Sequence, residues 1–515
     1  MNKNPLMRCR MKKHRFFPLM IIVFLLPAFA AEGPDSSAPA GSFEAALQSH
    51  LTYVKNEVAK LCDPETGMPV EIPHFDLIYE TAGNITASDH PETDLAIAYS
   101  LLGRASDVGT KVPNMRLPLR FPRAHHIDPE TGFEWYYFGT TLDVRDPEGN
   151  EGRVAILLSM QKQRIIGLTT QKAYGLSDNE CMMFVNLVTA TIDLPGTRKT
   201  IRRTENFQLP ALGGSGGFSS KGEAFYMICG TDSLTGTRHV LPLTAVVRDG
   251  DNLNLELTFI PPEGMKPRHA FFKQGMPNLA LKGRGYTYDP SPGIYYSWPQ
   301  LRIDLEKDKH LVIDGTAYHI HGGGAWMDHQ LMMQSLKNPK NEQHPIPFIE
   351  DPLPFNGWSW QFFNLDNGHA FTGASFQKGE FDPSPTIVYG YYIKPTKNGK
   401  RWEAVYLWGD MHMKDFKAFP VITDDPASPT VMLPNRWDYD NIQTVKGLLF
   451  AGTATPWFFD GSFNGQNRQI IGENPVDYRD SLHADIRGTG FCESVGFEPV
   501  ESYTERAVTY LKRNR

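Results

Sequence analysis

From about Arg116 to about residue 500 the chain shows almost no helical periodicity, and that constrains its fold more than any other feature. Apolar residues come instead in short runs rich in β-branched and aromatic side chains: "FEWYYFGTTLDV", "GRVAILLSM", "AFYMICG", "HLVIDGTAYHIHG", "WSWQFFNLDNGHAFTGASF" and "TIVYGYYIKPTKNGKRWEAVYLW". Turn-forming stretches such as "DPEGNEG" and "RDGDN" separate them. Runs of this kind between turn signals predict strands. "NLDNGH" and "KPTKNGKRW" predict hairpin turns, because Asn-Gly supplies the positive φ such turns need. The expectation is an all-β chain of antiparallel sheets, closed or sandwiched so that edges are protected. "FEWYYF" (133–138) and "WSWQFF" (358–363) share their spacing around Trp135 and Trp360, which fits two β-barrels of similar length.

The first 30 residues have a different texture. Lys3, Arg8, Arg10, Lys12, Lys13 and Arg15 precede the apolar run "FFPLMIIVFLLPAFA", which ends in Ala28-Phe29-Ala30. This is the layout of a secretory signal peptide with a small-x-small cleavage site. The run is shorter than the roughly 20 residues a spanning helix needs. The expected protein is therefore secreted or periplasmic, begins near Ala31 and has no membrane span after cleavage. Removing those six basic residues takes the formal charge from −7 to −13. Nucleic acid is not an expected partner, since phosphate neutralisation needs clustered Lys and Arg. Residues 31–114 read as a flexible leader and a helical extension, with Ser42 as a cap and Ala45, Leu47, Leu51, Val54 and Val58 on one stripe. About 485 residues follow Ala30, more than one ordinary core accommodates, so two domains are expected.

Several enzyme classes lack their signatures. There is no Gly-rich phosphate loop and no H-E-x-x-H. Cys62, Cys181, Cys229 and Cys492 are never in CxxC spacing, so a zinc cage is not expected, and spacing cannot assign disulfides. His319 and His321 share a strand face at a metal-ligand spacing, but no third ligand is evident, and no metal or organic cofactor is expected.

The segment "GGGAWMDHQ" (322–330) sets Trp326 two residues before Asp328 and places His329 next. On a strand Trp326 and Asp328 share one face, and Met327 and His329 the other. If the Trp326 face is a barrel interior, Asp328 is desolvated there, which favours a protonated carboxyl able to donate. The alternative is a structural acceptor at a strand end. In "HHIDPETGFEWYYF", Glu134 and Tyr136 share a face, Trp135 lies on the other, and adjacent His125 and His126 point apart. Glu134 is either outward-facing, arginine-paired or unusually placed. Tyr296 and Trp298 of "PGIYYSWPQ" share a face that can serve as core or stabilise a cation through the ring quadrupole.

The blocks "LPLRFPRAHHIDPETGFEWYYFGTTLD", "YYSWPQL", "GGGAWMDHQ", "GWSWQFFNLDNG" and "GTGFCESVGFEP" follow one another in this order. Together they resemble the carotenoid 1,2-hydratase / AttH-like family, with kievitone hydratases and fungal pericyclases as apparent relatives. The resemblance covers roughly residues 115 to 500. It implies two lipocalin-like β-barrels, at 115–335 and 336–510, and an apolar small-molecule substrate such as a polyene, terpenoid or prenylated compound. It also implies catalysis by Asp328, with Trp326 beside it and Tyr296 and Trp298 where the hydratases carry an aromatic or histidine pair. His329, on the opposite strand face, is expected to orient the catalytic block, and Glu134, Tyr136, Trp135, Trp360 and Glu493 are the expected substrate contacts. Tyr296 where the hydratases carry a histidine, "EWYYFGTTL" in place of "EWWYFTGNL", and Cys492 before Glu493 argue against a standard carotenoid hydratase. The expected activity is acid-catalysed hydration or isomerisation of an alkene. A non-catalytic lipid or terpenoid carrier is the alternative, and a secreted hydrolase ranks behind both.

Overall fold

The computed structural model describes residues 123–164, 177–202, 206–208, 214–220, 222–265, 293–306, 311–332, 357–377, 386–399, 401–420, 430–444, 446–457, 464–466, 469–483 and 485–495, with Leu168, Gln171 and Pro210. The segment read as a signal peptide, the 31–114 segment read as a leader and helical extension, and Cys62 lie outside the described residues.

Thirteen strands build the first sheet: β1 Phe133–Arg145, β2 Glu151–Arg164, β3 Met182–Leu194, β4 Thr197–Arg202, β5 Asn206–Gln208, β6 Gly216–Phe218, β7 Tyr226–Cys229, β8 Asp232–Thr237, β9 Val240–Asp249, β10 Leu253–Ile260, β11 Gly293–Ile303, β12 Leu311–Ile313 and β13 Thr316–Met332. Their order is β4-β3-β2-β1-β13-β11-β10-β9-β8-β7-β6, with β5 on β3, and β12 between β10 and β13. The last strand thus returns beside the first. At the far ends of this path side chains make the junction: Asn186 donates to Asp232 at 2.8 Å, and Asn206 donates to the Cys229 carbonyl at 2.5 Å.

The remaining strands are β14 Gly357–Leu365, β15 Ala370–Gln377, β16 Thr386–Pro395, β17 Trp402–Lys414, β18 Lys417–Pro420, β19 Thr430–Leu433, β20 Arg436–Thr444, β21 Gly447–Pro456, β22 Asn464–Gln466, β23 Gln469–Asp480 and β24 Arg487–Val495. Eight of them run β21-β20-β17-β16-β15-β14-β24-β23, and β23 pairs back onto β21, which closes the barrel. Strands β18 and β19 form a separate ribbon, and β22 hangs on β23. Two of its hairpins turn where the sequence predicts, with Gly368 at φ 76° and Gly399 at φ 64°. The architecture is all-β and antiparallel, as two lipocalin-like barrels require. Cys181 and Cys492 are buried free thiols, and Cys229 is buried with its thiol donating to the Asn206 carbonyl at 3.0 Å.

The triple glycine lies inside β13. Register shifts by one residue between Asp143 and Val144 of β1, opposite Gly322 and Ile320, which is a β-bulge. Gly323 has φ 128°, and a Cβ there would overlap the Thr141 carbonyl. The glycines let the long central strand bend while staying paired to β1.

The two sheets share one apolar cluster: Phe362, Ala374, Ile393 and Phe491 from the outer wall of the closed barrel join the core of the first sheet. Polar links frame it. Arg153 bonds Asp477 at 2.6 Å and Asp193 at 3.0 Å, and its guanidinium lies 4.1 Å from the Trp457 ring centre. Gln300, at the β11 bulge, bonds Asn364 and the Leu365 carbonyl. At the centre of the seam Gly139 faces the Phe362 and Phe491 rings, with no room for a methyl group. Gly139→Ala is expected to lower stability by about 1–3 kcal/mol, the usual range for overpacking a core. An unchanged urea midpoint would mean that the sheets do not meet there.

Candidate functional site

Strand β13 is the spine of the candidate site, and its two faces carry two different chemistries. It pairs with β1 on one side and β11 on the other. Register sets Tyr136 and Tyr296 on either side of His329, and Tyr137 and Ser297 on either side of Asp328. Because side chains alternate, His329, Tyr136, Glu134, Tyr296 and Trp298 face the interior of the first sheet. Asp328, Trp326, Tyr137, Trp135 and Ser297 face the seam with the closed barrel.

The interior face holds a buried hydrogen-bonded chain. His329 Nε2 lies 2.8 Å from Glu134 Oε1, and its Nδ1 lies 2.5 Å from the Tyr296 hydroxyl. That hydroxyl also lies 2.7 Å from His125 Nδ1. Tyr136 stacks on the His329 ring at 4.1 Å and donates to the His125 carbonyl. Burial, opposed by the hydrogen bond to Glu134, holds the His329 imidazole below its ordinary value, so the ring is neutral. Burial first, then the charge of Glu134, pushes the Tyr136 and Tyr296 phenols well above theirs, so both stay protonated. With these states one assignment of protons satisfies the chain. His125 Nδ1–H donates to Tyr296, Tyr296 donates to His329 Nδ1, and His329 Nε2–H donates to Glu134.

Glu134 is also the anchor of a loop. Its Oε2 accepts the Asp128 amide at 2.8 Å and lies 3.8 Å from Lys162 Nζ. Lys162, fully buried, donates to Asp128 O, Thr131 O and Thr131 Oγ1 at 2.7–3.0 Å. The network therefore pins residues 124–131 onto the sheet.

The fall in the His329 value has a consequence for stability. Above its ordinary value of 6.5 both folded and unfolded chains carry it neutral. As pH falls through that value the unfolded chain takes up a proton that the folded chain refuses, so stability is full above it and declines below. The contribution is at most about 1.4 kcal/mol per pH unit. The fall in melting temperature between pH 7 and 5 should be steeper in the wild type than in His329→Gln; parallel curves would contradict it.

The seam face centres on Asp328, which is 2% exposed. Its Oδ1 accepts the Trp326 indole N–H at 2.6 Å and the Ser297 hydroxyl at 2.5 Å. Trp326 stacks on Phe362 at 5.1 Å, Phe362 on Phe491 at 5.6 Å, and Tyr137 meets the Phe362 edge at 6.1 Å. A carboxyl group thus lies among rings contributed by both sheets.

The sequence reading places Trp326 with Asp328 correctly, but the expected cluster around it divides. Tyr296 and Trp298 lie on the opposite face, with His125 rather than with Asp328; the His125 and Trp298 ring centres are 4.4 Å apart. The reason is register: Tyr296 is opposite His329, so both of those aromatics share its side. Glu134 is neither outward-facing nor paired with arginine; it lies inside, held by His329 and Lys162. Tyr136 accompanies it. Trp135 and Trp360 are half-buried and pack against the shared cluster, and Glu493 stands opposite Trp360 in the ladder. His126 turns away from His125 and bonds the Arg238 carbonyl at 3.0 Å. His321 pairs with Glu151 at the surface at 2.6 Å, and among the described residues no group of three or more His, Cys, Asp or Glu could hold a metal. Ser297, His125 and Lys162 were not singled out by sequence as site residues. Ser297 could have been found from its place between Tyr296 and Trp298, which puts it on the face opposite both; Lys162 carries no local signal.

No protein-family model matches the sequence, and no curated protein matches it. Among solved structures the chain is similar to an AttH candidate from Nitrosomonas europaea, with 14% identity, 76% of this chain and 100% of that one covered, and a TM-score of 0.48. It is also similar to kievitone hydratase from Nectria haematococca, with 11% identity, 75% and 95% covered, and a TM-score of 0.44. A third is CghA with Sch210972, at 8% identity, 72% and 90% covered, and a TM-score of 0.33. The all-β assignment stands on the strand pairing of this chain itself.

Proposed function

We propose that this chain catalyses acid-dependent hydration or isomerisation of an alkene in a lipophilic small molecule, with Asp328 as the proton donor. The observation that carries the reading is a buried carboxyl group in an aromatic seam between two sheets, oriented by Trp326 and Ser297. Protonating an alkene turns a neutral molecule into a carbocation, so the donor must be close and the surroundings must tolerate positive charge. Ring faces do this through their quadrupole, and the Trp326 indole beside Asp328 supplies one. Asp328 O–H gives its proton to one alkene carbon, water adds to the other, and the water's surplus proton returns to Asp328. Loss of a neighbouring C–H proton instead gives the isomer. Trp135, Trp360 and Glu493 fall in the reading as substrate contacts. The basic and apolar N-terminus supports export, so the reaction is assigned to the periplasm or exterior.

One observation favours the carrier reading: two donors already converge on Asp328 Oδ1, as they would on a structural acceptor. Mass spectrometry of ligand retained by the purified protein, followed by incubation with prenylated phenols, terpenoids and polyenes, separates the two. A product 18 Da heavier, or an isomer of unchanged mass, supports catalysis. Retained apolar ligand with no conversion across the panel would leave a carrier.

A further inference from the structure

We propose that the interior of the closed barrel binds the neutral polyol head of an apolar-tailed molecule, at a site separate from the Asp328 seam. Inward positions of the barrel are identified by Phe363, Phe371 and Cys492, which belong to its core. Strand alternation from these residues points Ser359, Gln361, Gly373, Ser375 and Ser494 inward as well. The ladder lines them up: Ser359 stands between Ser375 and Ser494, and Gln361 between Gly373 and Cys492. Ser359, Gln361, Ser375 and Ser494 are all at most 1% exposed.

Within the row Ser359 donates to the Glu493 carbonyl at 3.1 Å and accepts from Gln361 Nε2. Among the described residues Gln361 Oε1, Ser375 Oγ and Ser494 Oγ have no hydrogen-bond partner. Buried polar atoms are almost always bonded, because leaving one unmade is costly. Alanine at the serine positions would have avoided that cost with little change of shape. Three orphaned atoms on neighbouring strands, beside a glycine, are the inner surface of a site.

The chemistry of the row selects the ligand. Among the described residues no charged side chain joins it, so neither a carboxylate nor an ammonium group has a counter-charge. The row crosses three strands, roughly 10 Å at the usual spacing, which is too wide for a single hydroxyl to reach both outer serines. Two adjacent hydroxyls suit it: one hydroxyl donates to Gln361 Oε1, while the serines donate to the ligand oxygens. Deeper in the barrel the inward residues are Phe363 and Phe371, stacked at 4.5 Å, with Tyr439 and Tyr478; these ring faces suit a mainly apolar remainder of the molecule.

The test uses the full chain with 1-decanoylglycerol, which has two adjacent hydroxyls, and methyl decanoate, which has the same tail and none. The expected result is saturable binding of 1-decanoylglycerol that weakens about tenfold or more in Ser375→Ala/Ser494→Ala, with methyl decanoate binding equally to both proteins. Gln361→Met is the second variant and should weaken the same ligand selectively should the serine variant lose its melting transition. Failure of 1-decanoylglycerol to bind, or binding unaffected by the variants, overturns the proposal. The outcome is independent of any change at Asp328.

Discussion

Asp328→Asn is expected to lower turnover by about 10²–10⁴-fold, the usual contribution of a general acid, while apolar ligand still binds. Asn keeps the size of the side chain, and its amide oxygen can still accept the Trp326 N–H and the Ser297 hydroxyl. What it cannot do is deliver a proton to carbon. The carrier reading expects the opposite pattern: activity per folded molecule does not enter, and stability falls by about 1–3 kcal/mol because a carboxylate acceptor of two buried donors is replaced by a weaker neutral amide. Turnover and melting temperature measured on one preparation distinguish the two. Full specific activity in Asp328→Asn would remove the residue from the mechanism.

A comparably large effect is expected from Glu134→Gln, on stability. Glu134 and Lys162 are both fully buried, and 3.8 Å separates Oε2 from Nζ. Removing one member of a buried pair leaves the other charge uncompensated, typically at a cost of about 3–5 kcal/mol. Lys162 keeps three oxygen acceptors, so the lower end of that range is expected here. Gln offers one acceptor oxygen where Glu offers two, so either His329 Nε2–H or the Asp128 amide loses its acceptor. Lys162→Met in the Glu134→Gln background should restore part of the loss, since neither member of the pair then leaves an uncompensated charge. A urea midpoint unchanged in Glu134→Gln would show that the pair is not closed off from water.

Much of the secondary structure was legible because it is local. Asn-Gly at 367–368 and 398–399 requires glycine in the left-handed region, and the hairpins turn there. Alternation within one strand is equally local, so "AWMDHQ" alone places Trp326 with Asp328 and His329 behind them. The same rule correctly separates Trp135 from Glu134 and Tyr136.

What stayed hidden depends on residues far apart in sequence. Alternation says which residues of a strand share a face, but not which face of the neighbouring strand they meet. Opposite faces of β11 carry Ser297 and the Tyr296–Trp298 pair, and one step of register would have brought the aromatics to Asp328 in place of the serine. The observed register takes them to His329, 33 positions from Tyr296. Likewise a lysine in the run "SMQKQR" reads as an ordinary strand residue; only the fold sets it against Glu134 and the 128–131 loop. An antiparallel β chain, its hairpins and the Trp326–Asp328 pairing follow from residues close together in the chain, because each rests on backbone geometry within a few positions. The closure of one barrel through β21 and β23, the aromatic seam around Asp328 and the buried chain from His125 to Glu134 emerge on folding, because strand register and sheet packing are settled by contacts between distant segments.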